Sequence, residues 1–126
     1  MPAMAPITLN DSAGSPVSYG VLSIEGNVGT WADTSQGTPG GFRTVTEQVK
    51  RPTDPQKGVT RILFRIARPV VNSTTGLVDY ILRFNGEALV PVTSTASERE
   101  ELYAMIKNFA AHANFQAAIE DVEGVY

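Results

Sequence analysis

The chain has 126 residues, a formal net charge of −3 and no cysteine, which suits one domain and is too short for two. The absence of cysteine excludes a disulfide scaffold and a thiolate metal site, and it fits a reducing compartment. The slight acidity, taken alone, argues against a nucleic-acid binder, and apolar stretches of strand length argue against a membrane span.

Met1 to Asn10 carries neither a basic region nor a long apolar run, so no signal peptide is expected there. Ile7-Thr8-Leu9 reads as a brief strand, and Asn10 to Pro16 reads as a turn by composition. Val17 to Glu25, rich in Val, Tyr, Leu and Ile, is a second strand, and Val28 to Asp33 is a third. Thr34 to Gly41 holds three glycines and a proline and predicts a loop.

Phe42 to Arg51 alternates well. Thr44, Thr46, Gln48 and Lys50 share one face, while Val45, Glu47 and Val49 share the other. Pro52 to Gly58 supplies a turn, and Thr60 to Ala67 alternates again, with Ile62, Phe64 and Ile66 opposed to Arg61, Leu63 and Arg65. Asn72 to Gly76 is the next loop. The last strand runs from about Leu77 to Val92, with Gly86 expected as a bulge or a point of close contact.

The period then changes. Thr95 or Ser97 can cap a helix, and Ser97-Glu98-Arg99-Glu100 fits a capping box. Leu102, Met105, Ile106, Phe109 and Ala113 recur at helical spacing, and after a stall near His112 a second short helix takes in Phe115, Ala118, Ile119 and Val122. Strands first and helices afterwards predict an α+β fold on an antiparallel sheet. Two short helices are too little to cover such a sheet, so a dimer in which each subunit covers its partner is expected.

Charge is unevenly distributed. Eight of the ten basic residues lie between Arg43 and Arg83, opposed there only by Glu47, Asp54 and Asp79. Six of the thirteen acids lie at or beyond Glu98. A basic middle and an acidic end can place opposite potentials on opposite faces of one fold.

Five stretches together resemble the coat proteins of RNA bacteriophages of the levivirus type, in order and over nearly the whole chain. These are Val28-Gly29-Thr30-Trp31, Val45 to Lys50, Arg83 to Glu87 followed by Pro91, Ser94 to Phe109, and the terminal Gly124-Val125-Tyr126. The resemblance implies an antiparallel sheet of about six strands (residues 1–93) followed by two helices that form a dimerisation segment (94–126). It further implies an interlocked homodimer that builds an icosahedral shell around single-stranded genomic RNA. The polar sheet face would bind an RNA stem-loop and repress translation of a replication gene.

Carried over residue by residue, the RNA-facing positions are Thr46, Gln48 and Lys50 on one strand, Arg61 and Arg65 on the next, and Arg83, Asn85 and Glu87 on the last. The register of Arg61 and Arg65 is open by two residues. Leu63 stands where the family often has a polar or basic residue, and Arg83 where it often has a stacking aromatic. An arginine plane can also stack on a base. The dimer interface falls to Leu102, Met105, Ile106, Phe109, Phe115 and Ile119. The loop from Val70 to Val78 would gather at the symmetry axes of the shell.

The residues themselves support these roles. Lys and Arg neutralise phosphates and release counterions, and Asn, Thr and Gln offer donors and acceptors to unstacked bases. No enzymatic constellation is apparent: His112 is the single histidine, and Thr38-Pro39-Gly40-Gly41 lacks the lysine of a phosphate loop. No cofactor, metal, membrane or small-molecule substrate is expected. Two other readings stay open at this point, a free dimeric RNA-binding repressor that forms no shell and a small-molecule-binding α+β domain.

Overall fold

A computed structural model describes residues 4–124, so Val125 and Tyr126 of the terminal motif lie outside the described residues. Six strands, β1 (Ile7–Asn10), β2 (Pro16–Glu25), β3 (Val28–Asp33), β4 (Arg43–Lys50), β5 (Val59–Val71) and β6 (Val78–Pro91), precede two helices, α1 (Ala96–Ala110) and α2 (Ala113–Glu120). The strands form one antiparallel meander in chain order, as short turn-rich connections dictate.

Details depart from the sequence reading in instructive ways. β5 runs four residues beyond Ala67 and accommodates Pro69, which is buried, just before a register shift at Val70 and Val71. A strand proline is tolerated beside such an irregularity because the ladder is already broken there. Gly86 is not a bulge; it pairs in register with Phe64. Its role is close contact, since a Cβ there would stand 3.2 Å from a ring carbon of Phe84. The irregularities of the sheet lie elsewhere, in β2 between Val21 and Ser23 and where Val70 and Val71 pair with Tyr80 and Val78.

The α1 cap is Thr95, not Ser97. Its hydroxyl accepts from the Glu98 amide at 3.2 Å, and the Glu98 carboxylate accepts from the Thr95 amide at 3.1 Å. Hydrogen bonds to the carboxylate from the Thr95 amide and hydroxyl hold the Glu98 carboxyl below its ordinary pKa. His112 caps α2 by accepting from the Asn114 amide at 3.0 Å, so the stall in the helical pattern is a helix boundary.

The Asn72–Leu77 tip is an ordered turn. Asn72 Oδ1 accepts from the Thr74 and Thr75 amides, and Gly76 takes a φ of 73° that favours glycine.

The chain lacks a core of ordinary size. Among hydrophobic residues described, only Ala32 is buried. The helices pack on each other and not along their own sheet. No described helix is long and apolar enough to cross a membrane.

Candidate nucleic-acid interface

Residues directly opposite in an antiparallel ladder share a face, so the register of β4, β5 and β6 decides what the sheet presents. Thr46 pairs with Arg65 and Arg65 with Asn85. Gln48 pairs with Leu63 and Leu63 with Glu87. Lys50 pairs with Arg61, and Arg83 pairs with Ala67 next to Thr44. All eight positions expected to be RNA-facing therefore lie on one face, and the open register of Arg61 and Arg65 is fixed.

On these strands the face carries four cations, Lys50, Arg61, Arg65 and Arg83, against the single carboxylate of Glu87. The charge is banded. Two cationic rungs lie to one side of the Gln48–Leu63–Glu87 rung, and the Lys50–Arg61 rung lies to the other. Rungs along a strand repeat every two residues, about 6.6 Å, close to the spacing of phosphates along an extended strand of nucleic acid. Thr44, Thr46, Arg65, Arg83, Asn85 and Glu87 rim an open depression of about 520 Å³ with Leu63 and Ala67 between them.

The basic middle of the sequence does not all reach this face. Arg43 pairs with Asp33, and Arg68 with Leu82, on the opposite side of the sheet. Asp33 is itself buried. Burial would raise its carboxyl, but hydrogen bonds from Ser35 and Gln36 and the Arg43 charge outweigh that and hold it below its ordinary value. Those bonds, 3.1 Å from the Ser35 amide and 3.3 Å from Gln36 Nε2, tie the start of the Thr34–Gly41 loop to β3.

Thr30, opposite Thr46, also belongs to the polar face, and sequence reasoning did not single it out. Nor did it single out Asn27, beside the last β3–β4 pair, Val28 with Gln48. The Asn27 side chain donates to the Val49 carbonyl and accepts from Gln48 Nε2 at 3.5 Å. Its position after Gly26 announced a turn, and nothing in the sequence announced a link to another strand.

Away from Asp33, Arg43, Glu47 and Arg68, the reverse face is apolar and bare. Ile62, Phe64, Ile66 and Phe84 register there, with Phe64 at 39% and Phe84 at 44% exposure. Leu102, Tyr103 and Ile106 of α1 stand across a groove of about 870 Å³ from Val49, Ile62, Phe64 and Val90. Met105 and Phe109 are exposed, and Phe109 meets Phe115 edge to face with ring centres 5.5 Å apart. Ile119 is 60% exposed. All six positions expected at a dimer interface thus lie on the helical segment, most of them without cover.

A sheet with one cationic face, one bare apolar face and helices standing off it is an assembly subunit, completed by other chains. The family is equally plain: the chain belongs to the levivirus coat proteins, whose family model matches residues 2–126. It is therefore a structural protein of the virion capsid and not an enzyme. Among solved structures it is similar to the virus-like particle of Beihai levi-like virus 21, at 21% identity over 99% of both chains and a TM-score of 0.89. That of bacteriophage NT-214 shares 20% identity over 99% of this chain and 100% of its own, with a TM-score of 0.86. The bacteriophage GA protein capsid shares 15% over 97% of both chains, with a TM-score of 0.76. At such identities the likeness establishes the fold. No curated protein matches the chain in sequence.

Proposed function

We propose that two copies of this chain interlock as a dimer, that dimers close into an icosahedral shell, and that the polar face of β4–β6 lines its interior and binds RNA. The observation that carries this reading is the register: it gathers Lys50, Arg61, Arg65 and Arg83 with Thr46, Gln48, Asn85 and Glu87 on one face and sets Ile62, Phe64, Ile66 and Phe84 together on the other.

The second copy meets two needs. Its helices fill the groove between α1 and the sheet, covering Ile62 and Phe64. Its β6 pairs with the bare edge of this one, a strand of 14 residues with unpaired amides and carbonyls along one side. The resulting continuous sheet doubles the polar face across the two-fold axis. On it the cations hold phosphates, and the neutral side chains read the unpaired bases of a stem-loop. Binding such a hairpin at the start of the replicase gene represses its translation in the host cytoplasm and marks the genomic RNA for enclosure.

Expression of the chain alone in bacteria, followed by electron microscopy and an absorbance ratio at 260 and 280 nm, tests this. Uniform closed particles with nucleic-acid absorbance are expected. Dimers carrying RNA without particles would favour a free repressor. Monomers free of RNA would contradict both and turn attention to the apolar groove as a small-molecule site.

A further inference from the structure

Resting on the reading that a second copy covers the apolar face, we infer that Glu47 on the sheet and Lys107 on α1 form an ion pair between the two copies, once in each direction. The pair makes the chain select its own kind as partner.

The carboxylate is out of place where it stands. Glu47 is half-buried on the apolar side of β4, between Val45 and Val49 along the strand and between Gly29 and Phe64 across the ladders. None of these carries a charge. The nearest cations of that strand on that side, Arg43 and Arg51, are each four residues away, about 13 Å along an extended chain. Arg43 already lies against Asp33. Val49 and Phe64 line the groove opposite α1, so Glu47 stands at its edge and is covered by whatever fills it. Covering a carboxylate without a cation is unfavourable, and cover is what this face requires.

The occupant narrows the choice to one group. Beyond Pro91 the chain holds three side chains able to carry positive charge, Arg99, Lys107 and His112. Arg99 is held by its own linker, donating to the Ser94 carbonyl at 2.6 Å and to Ser94 Oγ at 3.2 Å. His112 accepts from the Asn114 amide at Nδ1, a bond an imidazolium cannot make. Lys107 remains. It is exposed, and it lines the groove with Tyr103, Ile106 and Ala110 on one face of α1. Two surfaces that must be buried thus carry single charges of opposite sign, and joining two copies satisfies both.

Such a pair adds little net affinity, because desolvation offsets much of the attraction. Its effect is selectivity: a chain with an apolar residue at either place leaves the other charge bare, and a chain with the charges exchanged is repelled twice.

The test expresses the full chain in bacteria as Glu47→Lys, as Lys107→Glu, and as both variants together, read by size-exclusion chromatography, microscopy and mass spectrometry. Each variant alone sets like charges against each other twice per dimer and should give less than about a tenth of the wild-type yield of dimers and particles. Expressed together, they can form a mixed dimer in which both pairs are restored. Particles should then return, with the two chains in equal amounts. A chain carrying both substitutions should assemble with itself and, co-expressed with wild type, should form dimers of like with like.

Normal assembly of either single variant would overturn the inference and leave the dimer reading standing. Failure of the mixed pair would also overturn it, because a pair closed inside one chain is rescued only by the double substitution. A wild-type chain that stays monomeric would overturn the reading of a covered apolar face, and this inference with it.

Discussion

The two faces of β4–β6 arise from one alternation, yet they differ in what they lack. The polar face is complete as it stands, since Lys50, Arg61, Arg65 and Arg83 are solvated and need no partner for the chain to fold. The apolar face is incomplete: Phe64, Ile66 and Phe84 are each about two-fifths exposed, and Phe109 and Ile119 more so. Covering a side chain of that size fully is worth roughly 1.5–3 kcal/mol. The comparison teaches that this sequence encodes half a core and a charged face that needs no partner to fold. Changes on the apolar face should therefore act on assembly, and changes on the polar face on RNA.

The largest effect is expected on the apolar side. Phe109→Asp places a carboxylate where the second copy should bury an aromatic ring, at a cost of several kcal/mol. Light scattering and microscopy should then show loss of particles and of dimers. Normal particles from this variant would remove the distinction between the faces.

Next in size are the cations. Lys50→Ala and Arg83→Ala should each weaken RNA binding, and each should lower the slope of log affinity against log salt by about 0.7–1. Dimers should remain intact by sedimentation. A variant that lost its dimers along with its RNA would show that the polar face also serves assembly.

A smaller effect is tied to Asp33. Its folded pKa lies below its unfolded value, so ionised Asp33 contributes stability that is present above the unfolded pKa, near 3.9, and is lost as pH falls through the folded value. Asp33→Asn should reduce stability by about 1 kcal/mol at neutral pH. The gap to wild type should narrow in thermal melts taken progressively below pH 4. A gap that does not change with pH would mean the charge of Asp33 is not what matters.

Comparable in size is the effect at the α1 cap. Thr95→Ala removes one half of the capping box and should cost about 1 kcal/mol, read as a lower melting temperature with particles still forming.

Much of this was legible in the sequence. Alternation in Phe42–Arg51 and Thr60–Ala67 told which residues share a face within each strand, and the run from Val28 to Asp33 matched its strand to the residue. What alternation could not give was registration between strands. The Arg51–Gly58 connection could close at several lengths, so only the folded ladder sets Lys50 opposite Arg61.

The extension of β5 past Ala67 was not legible, because Pro69 lacks the N–H of a ladder and the register shift beside it that makes it acceptable has no local signature. Thr95 and Ser97 offered equivalent caps by composition. The turn in which Ser94 donates to the Pro91 carbonyl at 2.7 Å is followed directly by the helix, leaving Thr95 as its cap. The Asn27 link was invisible because it joins residues that only the sheet brings together.

The most direct test of the two-face account is a density map of particles formed by the chain alone, traced to the level of strands. The account predicts the polar face of β4–β6 turned inward against RNA density, with α1 and α2 of one copy lying over the apolar sheet face of another. A map with the Lys50–Arg61 rung on the outer surface, or with α1 folded onto its own sheet, would contradict it.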